Sequence, residues 1–470
     1  MSFCQILDAR QKSLEVNLDS TIYGTFAEIG AGQEVSRHFF KAGGAAGTMA
    51  KTISAYDMTM SDIIYGKSKS GRYVSRDRLE RMMEREYRQC VERLSDIRSD
   101  NTKFFAFANT VAAKSYSGKG ECHGWLGITF QHAPKAKPSR AVVHIRMLDR
   151  EAYQQQLTVG ELGVNLIHAC FFRNGSIKYF VSSLVENLSP DRLEIDLIHV
   201  EGPGFKDFDS RVLCLELVQR NFCRAALFDT DGTVQLTKDY LYKKNVLIQR
   251  GSWKPPTLLN ISMIEDVSRE FSRKLTQLGS SRDLVSLCEI SMNRLLERGQ
   301  VDNDDFLARV DLLAKLNKEV LITNIKTHEQ LNLYIRTCTK ENIAFVLGAH
   351  SLEELFKSNT DGDVSLLEFF GNLFCKNTTL YFFPSPEDDD PTQLIELENL
   401  RVTPEQMFLL LYLIESGKIV EMNHTNSEYP KIWTKKVLVS IQRNDGVWES
   451  MVPKVVSKEV KRKKLFGHKS

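Results

Sequence analysis

The residues best suited to chemistry are two carboxylates and a hydroxyl. The run Ala225-Ala-Leu-Phe-Asp229-Thr-Asp231-Gly-Thr233-Val places Asp229 and Asp231 two residues apart, directly after an apolar stretch. Magnesium-dependent phosphoryl transfer needs a carboxylate nucleophile at a strand end, a second carboxylate as acid/base, and a glycine turn beside them. In Lys318-Glu-Val-Leu-Ile-Thr323-Asn324 a second strand would end in a hydroxyl able to hold the transferring group. Lys326, Lys357, Asp361 and Asp363 follow further along the chain. The same residues have a plainer reading, which is preferred. Asp231-Gly232 between two apolar runs is a hairpin signal. The stretches 234–236 and 245–249 look like further β structure, and 361–363 follow a helical pattern rather than a strand.

Other candidates are less complete. Gly43-Gly-Ala-Ala-Gly47-Thr-Met-Ala-Lys51 has the glycines of a phosphate-cradling loop, but three residues separate the last glycine from the lysine. A glycine-rich turn opening a helix is the better reading. Glu28-Ile-Gly30-Ala-Gly32 has the glycine turn of a methyltransferase, with no clear strand before it. Lys51, Asp57, Arg72 and Tyr73 are the residues that would line a pocket for an anionic ligand. The alternative is a solvated loop. His123, His132, His144 and His168 share one region without zinc-ligand spacing, and His144 reads as a core histidine.

The elements that must position these residues follow from periodicity. Leu79, Met83, Tyr87, Val91, Leu94 and Ile97 recur at helical spacing with charged residues between them, which predicts an amphipathic helix from Ser75. Strands are expected at 104–108, 125–130, 141–147, 193–200, 211–218 and 225–228, with a helix at 162–171. Helix prevails from about residue 260 to 318. A compact alternation follows: helix 306–316, strand 319–323, helix 329–340, strand 343–347, helices 352–357 and 366–374, strand 379–383. That alternation predicts a three-layer, mostly parallel unit. The fold class is therefore α/β (or α+β) in two domains: 1–300, a mixed-sheet domain, and 301–470, a smaller three-layer α/β domain. Residues 387–391 form an acidic loop, and the basic tail from Lys454 reads as a solvated end.

Composition excludes several classes. With 470 residues the chain exceeds one ordinary core, and 42% apolar and 26% charged residues are globular values. Lys+Arg 62 against Asp+Glu 60 gives a net charge of +2, so no global field draws the chain to nucleic acid or membrane. No apolar run approaches the ~20 residues of a membrane span. The 9 cysteines are scattered singly without a CxxC pair, which argues against disulfides and structural zinc. A reduced, cytoplasmic, soluble protein is the expectation.

Two resemblances bear on function. The Asp229 and Thr323 motifs resemble the first and second motifs of haloacid-dehalogenase-type phosphotransferases. That likeness implies Asp229 as nucleophile, Asp231 as acid/base, Thr323 as phosphoryl-binding residue, Lys326 or Lys357 as the charge-neutralising lysine, Asp361 and Asp363 as the late acidic pair on magnesium, and magnesium as cofactor. Over nearly the whole chain, segments such as Tyr23-Gly-Thr-Phe-Ala-Glu-Ile-Gly-Ala-Gly, Ser61-Asp-Ile-Ile-Tyr-Gly, His123-Gly-Trp-Leu-Gly, Gln249-Arg-Gly-Ser-Trp-Lys-Pro and Trp448-Glu-Ser-Met-Val-Pro resemble a large bacterial family of chains of this length without an established activity. Names attached to that family include nicotinate-nucleotide adenylyltransferase and TonB-dependent receptor. Here the His-x-Gly-His motif of the former is absent, as are the signal and barrel pattern of the latter. The family pattern at the hairpin is closer to Pro-Asp-Gly, from which Asp229 departs. Two functions are carried forward. The first is a non-catalytic binding or scaffold protein that recognises an anionic ligand or a protein partner. The second is a magnesium-dependent phosphohydrolase or phosphotransferase acting on a small phosphorylated metabolite or nucleotide.

Overall fold

The computed structural model describes residues 6–68, 71–116, 120–297, 299–357, 365–386 and 393–469. It is an α/β structure that divides into two compact units, Met1–Arg224 and Ala225–Ser470. The boundary expected near residue 300 is thus corrected. Strands on both sides of that position share one sheet, so a cut there would pass through a hydrogen-bonded layer.

The first unit is built on a six-stranded mixed sheet. Its strands are β1 (Ile22–Gly30), β2 (Met49–Ile53), β3 (Lys103–Ala112), β4 (His123–Phe130), β5 (Ser139–Met147) and β6 (Leu193–Glu201). They lie in the order β2-β1-β3-β4-β5-β6. β1 runs parallel to β2 and β3, and β3 to β6 form an antiparallel meander.

Side chains alternate between the two faces. On one, the helix Arg76–Leu94 lays Met83 and Leu79 over Gly127, where a Cβ would meet the Met83 sulfur at 2.6 Å. On the other, the helices Glu34–Ala42 and Ala152–Phe172 meet across Gly163, and a Cβ there would lie 2.4 Å from Val35. The helix predicted from Ser75 is present, and the Ser75 hydroxyl accepts from the Arg78 N–H.

Two local expectations for this unit are revised. Residues 211–218 are helical (Ser210–Gln219), because the Asp209 carboxylate accepts from the Arg211 N–H and starts a helix in an apolar run that periodicity alone cannot assign. The glycine-rich segment closes the helix Glu34–Ala42 instead of opening one. Gly43 (φ 92°) ends it, and Lys51 stands within β2.

The second unit holds an eight-stranded sheet. Its strands are β7 (Ala225–Phe228), β8 (Val234–Gln235), β9 (Asn245–Arg250), β10 (Leu284–Ser291), β11 (Glu319–Thr323), β12 (Ile343–Gly348), β13 (Thr378–Phe383) and β14 (Ile419–Glu421). They are ordered β14-β13-β12-β9-β10-β11-β7-β8. β9 to β14 are all parallel, and β7 joins β11 antiparallel. Numbered by sequence, the parallel strands read 3-2-1-4-5-6, the doubly wound order. The chain winds outward from β9 to β11, returns, and winds the other way from β12. The reversal falls between β9 and β12, whose residues Gln249 and Val346 are register partners. The basic tail is a helix, Lys454–Lys463, which buries Val456 and Val460 in a cluster with Trp448 and Ile441. The solvated end expected there is corrected, since an apolar stripe hidden among the lysines anchors it. Among the described residues no helix is long and apolar enough to cross a membrane.

One buried acid in the first unit gives a pH signature. Glu28 is 1% exposed, and its carboxyl accepts from the Ser36 hydroxyl and N–H. Burial pushes it up from 4.5 to about 7. The folded state therefore holds a proton that the unfolded chain releases near pH 4.5. This contribution is fully present below that pH, is lost as pH rises, and is gone above about 7. The difference corresponds to roughly 3 kcal/mol. Urea unfolding at pH 5 and pH 8 is expected to show this loss in the wild type and to show it flattened in Glu28→Gln.

Candidate ligand cavity at the strand reversal

The cavity grows from the end of β9. Arg250 is its last residue, and the guanidinium reaches sideways to Glu289 on β10, with Nε 2.7 Å from Oε2 and Nη2 3.0 Å from Oε1. Both side chains are buried, at 7% and 0% exposure. The remaining donors of Arg250 serve the carbonyls of Ile325 and Lys326 beyond β11, at 2.7 and 2.8 Å. The Glu289 carboxylate also accepts from the Thr323 hydroxyl, and the Trp253 indole donates to the Glu289 carbonyl at 3.1 Å. Three neighbouring parallel strands are tied together at their C-terminal ends by this one ion pair.

Beside it lies a cavity of about 380 Å³, lined by residues following β9, β12 and β13. Gly348 ends β12, and a Cβ there would meet the Ser385 hydroxyl at 2.7 Å, so glycine lets the two loops close the wall. Across the cavity, the helix Leu258–Gln277 begins at a capping box in which Thr257 and Asn260 satisfy each other, and Leu259 and Asn260 face the opening. Arg294, Lys435 and Trp433 complete the rim. Arg294 and Lys435 are exposed.

Several polar atoms of these walls are buried and unsatisfied among the described residues. They include Gln249 Oε1, His424 Nδ1 and, in an adjoining cavity of about 310 Å³, His328 Nε2. The His424 Nε2–H donates to the Pro384 carbonyl at 2.8 Å, which leaves Nδ1 as an acceptor. Burial, with added repulsion from Arg250 and Arg294, drives His328 down to about 3, so that ring is neutral.

The residues singled out from sequence fall elsewhere. Asp229 organises a hairpin turn. Its carboxylate accepts from the N–H groups of Asp231 (3.0 Å) and Thr233 (2.8 Å) and from the Gln235 amide (2.6 Å). Gly232 takes φ 76° at the turn, and Asp231 is exposed. Thr323 pairs with Ala225 while Val320 pairs with Phe228, so Thr323 and Asp229 lie at opposite ends of β11, roughly 13 Å apart along the strand. The phosphotransfer arrangement is therefore not assembled, because the strand carrying Asp229 runs antiparallel to the one carrying Thr323. Asp361 and Asp363, and the acidic loop, lie outside the described residues.

Lys51, Asp57, Arg72 and Tyr73 are each engaged with a neighbour. Lys51 pairs with Glu86, Asp57 caps a helix through the Met60 N–H at 2.8 Å, and the Tyr73 hydroxyl donates to Asp62 at 3.1 Å. Arg72 has its own partner. Glu28-Ile-Gly30 forms the end of a strand, β1, contrary to expectation. Among the described residues no group of three or more His, Cys, Asp or Glu side chains could hold a metal ion. Sequence reasoning missed the cavity. Its available signal was the short apolar run of β9 ending in Arg250-Gly-Ser, and its meaning depends on which strand lies beside β9.

No family model matches the chain, and neither does any curated protein. Among solved structures, the chain is similar to the competence/damage inducible protein CihA from Agrobacterium tumefaciens. The two are 16% identical over 36% of this chain and 98% of that one, with a TM-score of 0.26. It is similar to a CinA superfamily protein from Escherichia coli at 14% identity, over 35% and 94% of the two chains, with a TM-score of 0.25. It is also similar to nicotinic acid mononucleotide adenylyltransferase from Plasmodium falciparum at 10% identity, over 48% and 98%, with a TM-score of 0.30. These scores are too low to carry over a fold or an activity.

Removing one partner of the buried pair strands the other. Glu289→Ala is expected to lower the unfolding free energy by about 3–5 kcal/mol in urea titration. Asp229→Ala, which removes only turn contacts, is expected to cost about 1 kcal/mol.

Proposed function

We propose that the second unit is a binding module for a phosphorylated, nucleotide-like anion, held in the cavity between the ends of β9 and β12. The observation that carries this reading is a coincidence of position. The cavity opens where the winding of a doubly wound parallel sheet reverses, and such sheets bind ligands outside the carboxyl ends of their strands at that point. Three features support it. The first turn of a twenty-residue helix borders the cavity and favours negative charge. Arg294 and Lys435 add cationic side chains at the rim, and Trp433 adds a flat apolar surface. Unpaired acceptors on Gln249 and His424 suit a ligand that carries N–H or O–H donors.

The reading is of binding, not catalysis. Glu289, the buried carboxylate beside the cavity, is committed to Arg250 and Thr323.

The test is thermal unfolding in the presence of AMP, ATP or inorganic phosphate, each with and without magnesium. A ligand at a hundred times its Kd stabilises by about 2.7 kcal/mol, so a rise in Tm of roughly 5 °C or more is expected with a nucleotide. Arg294→Ala should weaken binding about tenfold, as loss of a charge-assisted contact does, and leave the unliganded Tm unchanged. The absence of any shift at millimolar nucleotide would remove the proposal.

A further inference from the structure

The second unit carries a charge asymmetry that the whole-chain balance conceals. Residues 431–469 hold 11 Lys and Arg against 3 Asp and Glu, which leaves 51 against 57 for the rest of the chain. The near-zero total thus hides a basic segment on a slightly acidic body, and a positive field is local to that segment.

The segment is folded, and its charges stand on defined faces. Two helices, Thr434–Arg443 and Lys454–Lys463, are anchored in one apolar cluster, the first by Val437 and Ile441, the second by Val456 and Val460. At 3.6 residues per turn the opposite face of each helix points away from that cluster. On the first helix that face carries Lys435, Lys436, Gln442 and Arg443, and on the second Lys454, Lys458, Lys461 and Arg462, all exposed. Lys461 and Arg462 pair with Glu449 and Glu459. Lys435, Lys454 and Lys458 make no ion pair among the described residues. Each helix spends its main apolar stripe on the cluster. Val439 is the exposed apolar residue among the cations of the first helix, too little for a helix that lies in a membrane surface.

This basic surface is continuous with the cavity. Trp433, Thr434 and Lys435, at the start of the first helix, also line it. Trp433 is partly buried, and the Lys436 ammonium lies 4.8 Å from its ring centroid. One turn of chain thus offers an aromatic surface to a base and ammonium groups to a phosphate, the combination with which proteins hold single strands.

We propose that these two helices are the docking face for a single-stranded nucleic acid, whose phosphates follow the lysines and whose terminal nucleotide occupies the cavity. The choice of occupant rests on the nucleotide reading of that cavity. A phosphodiester strand supplies the repeated negative charge that Lys435, Lys454 and Lys458 complement. The cavity, about 380 Å³, has the scale of one small ligand, so the end that enters it has to be unpaired.

Fluorescence anisotropy of the full chain with a labelled oligothymidylate of about twenty nucleotides tests it. About four phosphate contacts give a log–log salt slope of about −3, so affinity is expected to fall roughly fiftyfold between about 50 and 200 mM salt. Lys454→Glu/Lys458→Glu, at exposed positions, is expected to bind about tenfold or more weakly with a shallower slope, and to keep the Tm shift given by AMP. Lys454→Gln/Lys458→Gln should fall between this variant and the wild type. Arg294→Ala should lose the AMP shift and keep most of the salt-sensitive binding. A Tm shift with AMP but no strand binding overturns the docking face and spares the cavity reading. Strand binding without an AMP shift supports the docking face and overturns the cavity reading. Unchanged affinity in the charge-reversed variant, tighter binding of the duplex with the complementary strand, or displacement by polyglutamate as readily as by unlabelled strand at equal charge would each overturn the proposal. The salt slope and the competition use the wild type, so they decide the matter even where a variant does not fold.

Discussion

The pairing of Arg250 with Glu289 is the constraint around which the second unit is arranged. Parallel strands are joined only by backbone bonds along their length, and their C-terminal ends would otherwise splay where the loops depart. A guanidinium anchored on β9 closes β10 through its carboxylate and β11 through two loop carbonyls. The indole of Trp253 and the hydroxyl of Thr323 use the oxygens that remain. Desolvating two charges has a cost that is offset only when geometry is good and the remaining donors and acceptors are filled, and here they are. The strand ends beside the cavity are held together for this reason, and Arg294 and Lys435 are the cationic side chains at its rim that Glu289 does not pair.

The first unit solves a different problem with smaller means. Its sheet changes from parallel to antiparallel at β3, and helices must lie close on both faces. Gly127 and Gly163 permit that approach, one under Met83 and the other against Val35. Polar groups sealed inside are matched individually. Lys12 donates to the Asn165 side chain at 2.8 Å and the Ser183 carbonyl at 2.9 Å, and it pairs with Glu186 at 2.6 Å. Burial lowers the pKa of that lysine while Glu186 opposes the shift. The one irregularity in the antiparallel ladder, at Asp196, is also the one that brings a carboxylate onto a histidine.

Much of the architecture was legible from local pattern. The α/β class, the amphipathic helix from Ser75, the strands ending at Met147, Thr323 and Phe383, and the helices between Thr323 and Phe383 follow from periodicity. What was not legible depends on partners distant in sequence. Residues 211–218 have a burial pattern that suits either a strand or a helix, and the cap at Asp209 decides. Asp229-Thr-Asp231-Gly has the composition of both a nucleophile loop and a hairpin. The antiparallel placement of β7 against β11 selects the hairpin and turns its carboxylate onto its own backbone. The cavity was invisible because the reversal that creates it is a fact of strand order. No feature within 245–252 or 343–351 announces that these stretches lie side by side.

The division after Arg224 also bears on how the chain can be taken apart. Because β7 opens the second sheet and β6 completes the first, the junction between residues 224 and 225 interrupts no ladder. A truncation there leaves every strand with its neighbours, whereas one at residue 300 would separate β9 and β10 from β11 and β12 and divide the cavity wall between two fragments. Among the described residues no sheet is shared by the two halves, so the strands of each sheet all come from one half and a change in one sheet leaves the pairing of the other untouched.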